Sequence, residues 1–288
     1  MLQKRMWIAC AAGLAGMLSG AEAAAPLLVS ETFEGGVLRT GSLYVVSGNS
    51  PALTSERARS GRYAMKSVLN RKTSENSYRT EISIPSPKVE MGDERWYGFS
   101  IFLPSGYKAS PVWESVVQWH DTPNDWDHNR GFPPLHLATS RGGKFDRWTV
   151  ANLWDAQPVA ANGSYTLDGN VVWDLGAWET NKWTDWVFRV KWSYGNDGLL
   201  QVWKDGKLVI NRTGPNTYND KIGPYFKAGI YKGWKDRSNP VDTISERIVY
   251  HDEIRIAGPG ASYSDVAPGG AAAAPTVVPR SPTEVTAE

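Results

Sequence analysis

The sequence predicts an all-β protein, a sandwich of two sheets, and three observations carry that expectation. Between Leu27 and about Ala257, short runs rich in Val, Ile, Trp, Tyr and Phe alternate with turn residues, which is the pattern of many short strands. No part of that span sustains the 3.6-residue apolar period of a long helix. The dipeptide Asp205-Gly206 separates two such runs, and it favours a two-residue type I′ hairpin, whose central positions both need positive φ.

Taken in order, the chain of 288 residues begins with Lys4 and Arg5, an apolar run from Met6 to about Leu18, and Ala21-Glu22-Ala23-Ala24-Ala25. A basic start, a short apolar stretch and a small-residue cleavage pattern make an export signal, too short to span a membrane. Residues 1–25 are therefore expected to be removed, after Ala23 or Ala25, leaving a periplasmic or secreted protein with no membrane association. Cys10, the one cysteine, falls inside this leader. A lipid anchor there is the lesser reading, because the apolar stretch before it is very short. An exported domain without disulfides relies on its core, and residues 26–258 suffice for one large β domain.

Strands are expected at Tyr78 to Ser83, Arg95 to Leu103, Val112 to His120, Trp148 to Leu153, Trp183 to Trp192, Leu199 to Lys204, Lys207 to Asn211, Tyr225 to Tyr231 and Ile248 to Ile256. Two long polar segments, Asp121 to Pro134 and Gly233 to Ser245, follow strands that carry reactive side chains and are candidate walls of a cleft. After Gly258 the chain turns to Gly, Ala, Pro, Ser and Thr, so residues 259–288 are expected to be a disordered tail.

The leader carries Lys4, Arg5 and Glu22, a net +1, so a whole-chain charge of +1 becomes zero for the mature part. That argues against a general nucleic-acid binder; cations for an anionic ligand must be placed locally. All but Trp7 of the 14 tryptophans lie beyond the leader. Most are expected in the core, with a few along a sugar-binding groove.

Three strands place polar groups at i and i+2, hence on one face. In Tyr225-Phe226-Lys227-Ala228-Gly229-Ile230-Tyr231, the face of Tyr225, Lys227 and Tyr231 opposes an apolar one, and Gly229 leaves a gap where a ligand could approach. Gln118 and His120 share a face with Trp119 opposed, and Arg79 pairs similarly with Glu81. This set suits proton abstraction beside a carboxylate, a step that requires the carboxylate to be neutralised first. Arg79 and Gln118 are candidates for that. His120 is the candidate base, Tyr231 the acid or both acid and base, and Lys227 the cation that favours the phenolate. The reaction these candidates imply is β-elimination from a uronic-acid polysaccharide.

The ordered trio Tyr78-Arg79-Thr80-Glu81, Gln118-Trp119-His120 and Tyr225-to-Tyr231 resembles the β-jelly-roll polysaccharide lyases, including the heparin lyase I-like and glucuronan lyase families and alginate lyases of similar fold. The resemblance runs from about Glu31 to Ile256. It implies a two-sheet jelly roll whose concave face holds the polymer, with His120 and Tyr231 as proton-transfer residues. It also implies that Gln118 and Arg79 meet the uronate carboxylate and that Lys227 assists; no cofactor is expected to be required for catalysis. Tyr225, Glu81, His136 and Arg130 complete the expected substrate contacts; Glu81 has no chemical role of its own unless it holds Arg79. A near-zero charge favours an unsulfated polyuronate, glucuronan or alginate, over heparin.

Alternatives remain. His128 beside Asp125 and Asp127 is expected in a solvated loop rather than on a metal, and His251-Asp252 near Glu31 or Glu34 is a candidate structural calcium site. A noncatalytic carbohydrate-binding jelly roll would use the same fold and aromatics without the acid and base. A jelly-roll glycoside hydrolase would need two carboxylates flanking the bond, and no closely spaced acidic strand supplies them. The protein is expected to work as a monomer.

Overall fold

The computed structural model describes residues 25–36, 44–45, 50–71, 78–124, 132–141, 143, 145–157, 167–234, 242 and 244–270. In chain order the strands are β1 (Leu27–Glu31), β2 (Tyr44–Val45), β3 (Ala52–Thr54), β4 (Ala64–Asn70), β5 (Arg79–Ile84), β6 (Glu94–Leu103), β7 (Glu114–Thr122) and β8 (Leu135–Ser140). They continue as β9 (Arg147–Trp154), β10 (Gly169–Ala177), β11 (Lys182–Lys191), β12 (Leu199–Lys204), β13 (Lys207–Thr213), β14 (Ile222–Lys232) and β15 (Glu246–Ala257), before a single-turn helix α1 (Tyr263–Val266). Each predicted strand has its counterpart here. The Asp205-Gly206 hairpin also forms, with φ of 47° and 78° at its two central residues, because right-handed strand twist is matched by a left-handed turn.

The strands make two antiparallel sheets, an all-β sandwich of jelly-roll type. One has the order β13-β12-β11-β6-β15-β4-β3, with β1 also pairing β15; the other runs β10-β9-β8-β7-β14-β5-β2. Their facing sides enclose the main apolar cluster. At its centre the buried Trp119 ring meets Tyr97, Phe99, Phe188 and Phe226, so β7 and β14 of one sheet are pinned to β6 and β11 of the other. Residues that alternate with these anchors must point away from the core, which is how Gln118, His120, Tyr225 and Lys227 come to share the outer face of the second sheet. Among the described residues no helix is long and apolar enough to cross a membrane.

The expectation of disorder from residue 259 is corrected for the part up to Gly270. Val266 and Ala267 are buried with Trp96, Val187, Trp203 and Leu208 on the outer side of the first sheet, and Arg255 donates to the Ala267 carbonyl at 2.9 Å. Small residues conceal this packing in the sequence: a β-carbon on Gly98 would sit 1.8 Å from the Val266 carbonyl oxygen, so the strand beneath must be glycine for the turn to lie flat. The leader and residues 271–288 lie outside the described residues.

Candidate active site

The second sheet brings the three predicted strands side by side, β5 and β7 flanking β14. Tyr225 stands opposite His120 and Lys227 opposite Gln118 across β7, while Tyr231 stands opposite Arg79 across β5. On the far side of β7, Gln118 is paired with His136 of β8, which is fully buried. The register slips on both sides of this strip, between Ala228 and Tyr231 on β14 and between Ser115 and Val117 on β7. Such bulges re-aim side chains; here Val116 and Val117 both go to the core, leaving Ser115 on the β7 side of Tyr231.

Gly229 is corrected in its role. Its φ is 143°, and a β-carbon would fall 2.1 Å from the Thr80 carbonyl oxygen. The space beside it belongs to the β5 backbone, not to a ligand.

Glu81 and Lys227 are corrected as well. Both are buried, and the Lys227 ammonium donates to Glu81 Oε2 at 2.6 Å. The Gln118 amide nitrogen donates to the other oxygen, Glu81 Oε1. With both oxygens engaged, Glu81 fixes Gln118 and Lys227 rather than Arg79, and neither charge of the pair is offered to a sugar. Lys227 is also not the neighbour of Tyr231: they stand four residues apart on β14, roughly 13 Å along an extended strand. The cation that does cover Tyr231 is Arg79, its guanidinium carbon 4.7 Å from the ring centroid. On another side the Trp113 ring meets Tyr231 edge-on at 4.7 Å.

Gln118 keeps one amide hydrogen beyond the bond to Glu81, and its buried Oε1 has no hydrogen-bond partner among the described residues. His120 is half-buried, stacked on Tyr225 at 5.6 Å. Its Nδ1 lies 3.0 Å from the backbone carbonyl of Asp121 and 3.0 Å from that residue's Oδ1. The backbone carbonyl accepts from Nδ1, which in the neutral ring places the hydrogen there and leaves Nε2 with its lone pair. Asp121 therefore orients the imidazole, a role the sequence held only as adjacency. His120 and Tyr231 do not meet. Gln118 lies between them, two residues from His120 along β7 and three from Ser115, so the imidazole and phenol stand on either side of the amide.

Beneath Trp113 and Tyr231 lies a second polar cluster that the sequence did not disclose. Lys232, next to Tyr231, contacts Asp242 at 2.5 Å, Glu114 at 3.4 Å and Ser110 at 2.7 Å. Arg247 donates to Glu114 at 2.7 Å, and Tyr107 donates to the same carboxylate. Burial would raise the Glu114 carboxyl, but the charges of Arg247 and Lys232 and these hydrogen bonds outweigh it and hold the group below its ordinary value. The cluster anchors the ends of β7, β14 and β15, and through Asp242 it fixes a point of the segment expected to wall the cleft.

Arg130 and His128 lie outside the described residues. The proposed calcium ligands do not converge. Glu34 accepts from the backbone of Arg62 and Tyr63, Glu31 from that of Phe33, and Asp252 from Arg59, Ser60 and Glu253. His251 Nε2 lies 2.9 Å from the Val116 carbonyl. Among the described residues no group of three or more His, Cys, Asp or Glu side chains could hold a metal ion.

The described residues form a two-sheet sandwich with Arg79, Gln118, His120 and Tyr231 on adjacent strands of one face. The polysaccharide lyase family model matches residues 35–255. The chain belongs to that family and is a polysaccharide lyase. No curated protein sequence matches it. Among solved structures, it is similar to an endo-β-1,4-glucuronan lyase from the fungus Trichoderma reesei, at 19% identity and a TM-score of 0.66 over 79% of this chain and 94% of that one. More distant likenesses are the alginate lyase AlyC3, at 15% identity, TM-score 0.48, 68% of this chain and 75% of that one, and the cellulose-induced protein Cip1, at 18% identity, TM-score 0.49, 80% and 96%.

Proposed function

We propose that the protein is exported and cleaves an unsulfated polyuronate of the glucuronan or alginate kind by β-elimination, at the strip formed by Arg79, Gln118, His120 and Tyr231. The observation that carries this reading is the placement of Gln118 between an imidazole with a free Nε2 and a phenol capped by a guanidinium. A polyuronate laid along the strip passes His120, Gln118 and Tyr231 in turn.

Removing the proton at C5 builds negative charge next to a carboxylate that is already negative. Arg79 and the remaining amide hydrogen of Gln118 supply positive electrostatic potential there, and donors fixed before the reaction are worth most. The Glu81–Lys227 pair holds Gln118 in that orientation. His120 Nε2 takes the C5 proton, the electron pair becomes the C4–C5 double bond, the C4–O bond breaks, and the departing oxygen takes the Tyr231 hydroxyl proton. The products are an unsaturated uronate at a new non-reducing end and a free hydroxyl on the other fragment. The fold similarity to a protein described as a glucuronan lyase supports the substrate class. So does the charge of the strip, where Lys227 is neutralised by Glu81: it suits one carboxylate per sugar better than dense sulfation.

The test is ultraviolet absorbance of the unsaturated product on glucuronan, polymannuronate, polyguluronate, hyaluronan and heparin. Absorbance on a polyuronate, abolished in Tyr231→Phe and His120→Ala while polymer binding persists, is the expected result. New reducing ends without absorbance would mean hydrolysis, and binding without products would mean a carbohydrate-binding protein.

A further inference from the structure

Tyr231 has a second side. Arg79 covers it from β5, whereas toward β8 the phenol lines a small pocket with Trp113, Ser115, Phe132, His136 and Arg141. His136 is completely buried, yet neither ring nitrogen completes a hydrogen bond with a described residue; the Pro133 carbonyl nearby favours its protonated form only weakly. Burial, reinforced by the charge of Arg141, holds the imidazole well below its ordinary pKa, so it is neutral. Burial also lowers Arg141 to about 10, the Tyr218 phenol being the group that opposes the shift. Arg141 keeps part of its surface in water, and among the described residues no carboxylate pairs with its guanidinium. The polar groups lining the pocket are a guanidinium, an imidazole, an indole N–H and two hydroxyls. Each can donate a hydrogen bond, and no acid is among them.

We infer that this pocket is a second carboxylate seat, in which Arg141 and His136 hold the carboxylate of the uronate adjoining the one that is cut. The inference rests on the reading of the strip as a polyuronate site and deepens it. Two seats on opposite sides of Tyr231, one at Arg79 and one at Arg141, require acid groups on successive sugars. The enzyme is thereby selective for runs of consecutive uronates over polymers in which each uronate alternates with a neutral or amino sugar. A carboxylate in the pocket supplies the missing counter-charge of Arg141 and accepts from His136 at once, whereas a hydroxymethyl group supplies neither.

The test compares Arg141→Ala and Arg141→Lys with the parent, in the full-length mature protein, after thermal unfolding confirms that each is folded. Calorimetry in a Tyr231→Phe background measures binding of a saturated homo-oligouronate and of the same oligomer with its carboxylates methyl-esterified, a readout independent of turnover. Loss of one charge-assisted hydrogen-bonded contact should weaken binding of the free acid by roughly tenfold to a hundredfold in Arg141→Ala. Binding of the ester should be unchanged, and Arg141→Lys should recover part of the loss. In the Tyr231-containing enzyme the loss should appear in KM rather than kcat. Equal binding of the free acid by Arg141→Ala and parent, or an equal loss for acid and ester, overturns the seat. Absence of elimination by the parent would instead overturn the lyase strip, and the calorimetric comparison would still decide the pocket.

Discussion

Strand β14 passes through two buried ionic clusters that differ in what they leave open. At Lys227, one ammonium and one carboxylate are joined by an amide, and Gln118 keeps an unbonded carbonyl oxygen and a spare N–H at the outer face. At Lys232, two cations, Glu114, Asp242, Ser110 and Tyr107 satisfy one another under the sheet. The second cluster is closed and serves the fold. The first is incomplete on one side, and that side faces the proposed substrate. Residual hydrogen-bonding capacity, more than charge, therefore distinguishes the functional group from the structural one. Asp252 on β15 is a third case: it is buried with backbone N–H donors, the nearby Arg59 guanidinium is bonded to Asp185 instead, and burial lifts the Asp252 carboxyl to about 6.

The largest effect is expected from Glu114→Ala, which strands Lys232 and Arg247 in the interior. Breaking a buried pair in this way costs about 3–5 kcal/mol, read from the midpoint of chemical denaturation; a loss under 1 kcal/mol would mean the closed cluster is not closed. Next is Gln118→Leu, which should reduce turnover by about 10²–10³-fold, the scale of one preorganised donor, while the melting temperature moves far less than in Glu114→Ala. A collapse of stability with no specific loss of turnover would make the Lys227 cluster structural too. Replacing the pair together, Glu81→Leu with Lys227→Met, should leave stability little changed because the desolvation penalty goes with the charges. Activity should still fall, since Gln118 loses its orienting acceptor.

Asp252→Asn tests the third case through pH. Because the folded pKa lies near 6, above the ordinary 3.8, the native state binds the proton more tightly than the unfolded chain. The resulting stabilisation is complete below about pH 4 and lost as pH rises through 6. With 1.36 kcal/mol per pKa unit, the stability of the parent relative to Asp252→Asn should drop by about 3 kcal/mol between pH 3 and 7. His251, which burial lowers to about 4, acts with the opposite sign: its stabilisation is present above about 6.5 and lost as pH falls toward 4. It is common to both proteins and cancels in the difference. A flat difference would mean that Asp252 is solvated. The smallest effect is expected at Gly206, where φ is 78°. Gly206→Ala should destabilise by about 1–2 kcal/mol through left-handed strain, with turnover per folded molecule unchanged because the hairpin belongs to the other sheet.

Much of the strip was legible because strand periodicity is local. The alternation in Tyr225 to Tyr231 and in Gln118-Trp119-His120 assigns each side chain to a face without knowledge of its partner strand, and the apolar positions Phe226 and Trp119 identify the core side. The partners were not legible. Glu81 was read as a brace for Arg79, whereas it pairs with Lys227, 146 residues away; no local pattern encodes which strand will lie alongside. Gly229 was read as a ligand gap because its missing side chain was visible and the approaching β5 carbonyl was not. Arg141 gave no signal, since a single arginine after a strand is commonplace until the pocket it lines and the absence of a described acid set it apart. Asp121 was adjacent to His120 in the chain, but consecutive residues of a regular strand face opposite ways. The contact between them had to be seen.

The amino-acid sequence by itself determined the all-β class, the hairpin at Asp205-Gly206 and the shared face of the reactive side chains, because turn chemistry and a two-residue period act over neighbours. Tertiary structure decided which of those side chains are available. Register, bulges and burial bound Lys227 to Glu81, set Gln118 between His120 and Tyr231, packed Val266 onto Gly98 and left both ring nitrogens of His136 without a partner among the described residues. These outcomes depend on the pairing of strands far apart in the chain, where a shift of one residue turns every side chain to the opposite face.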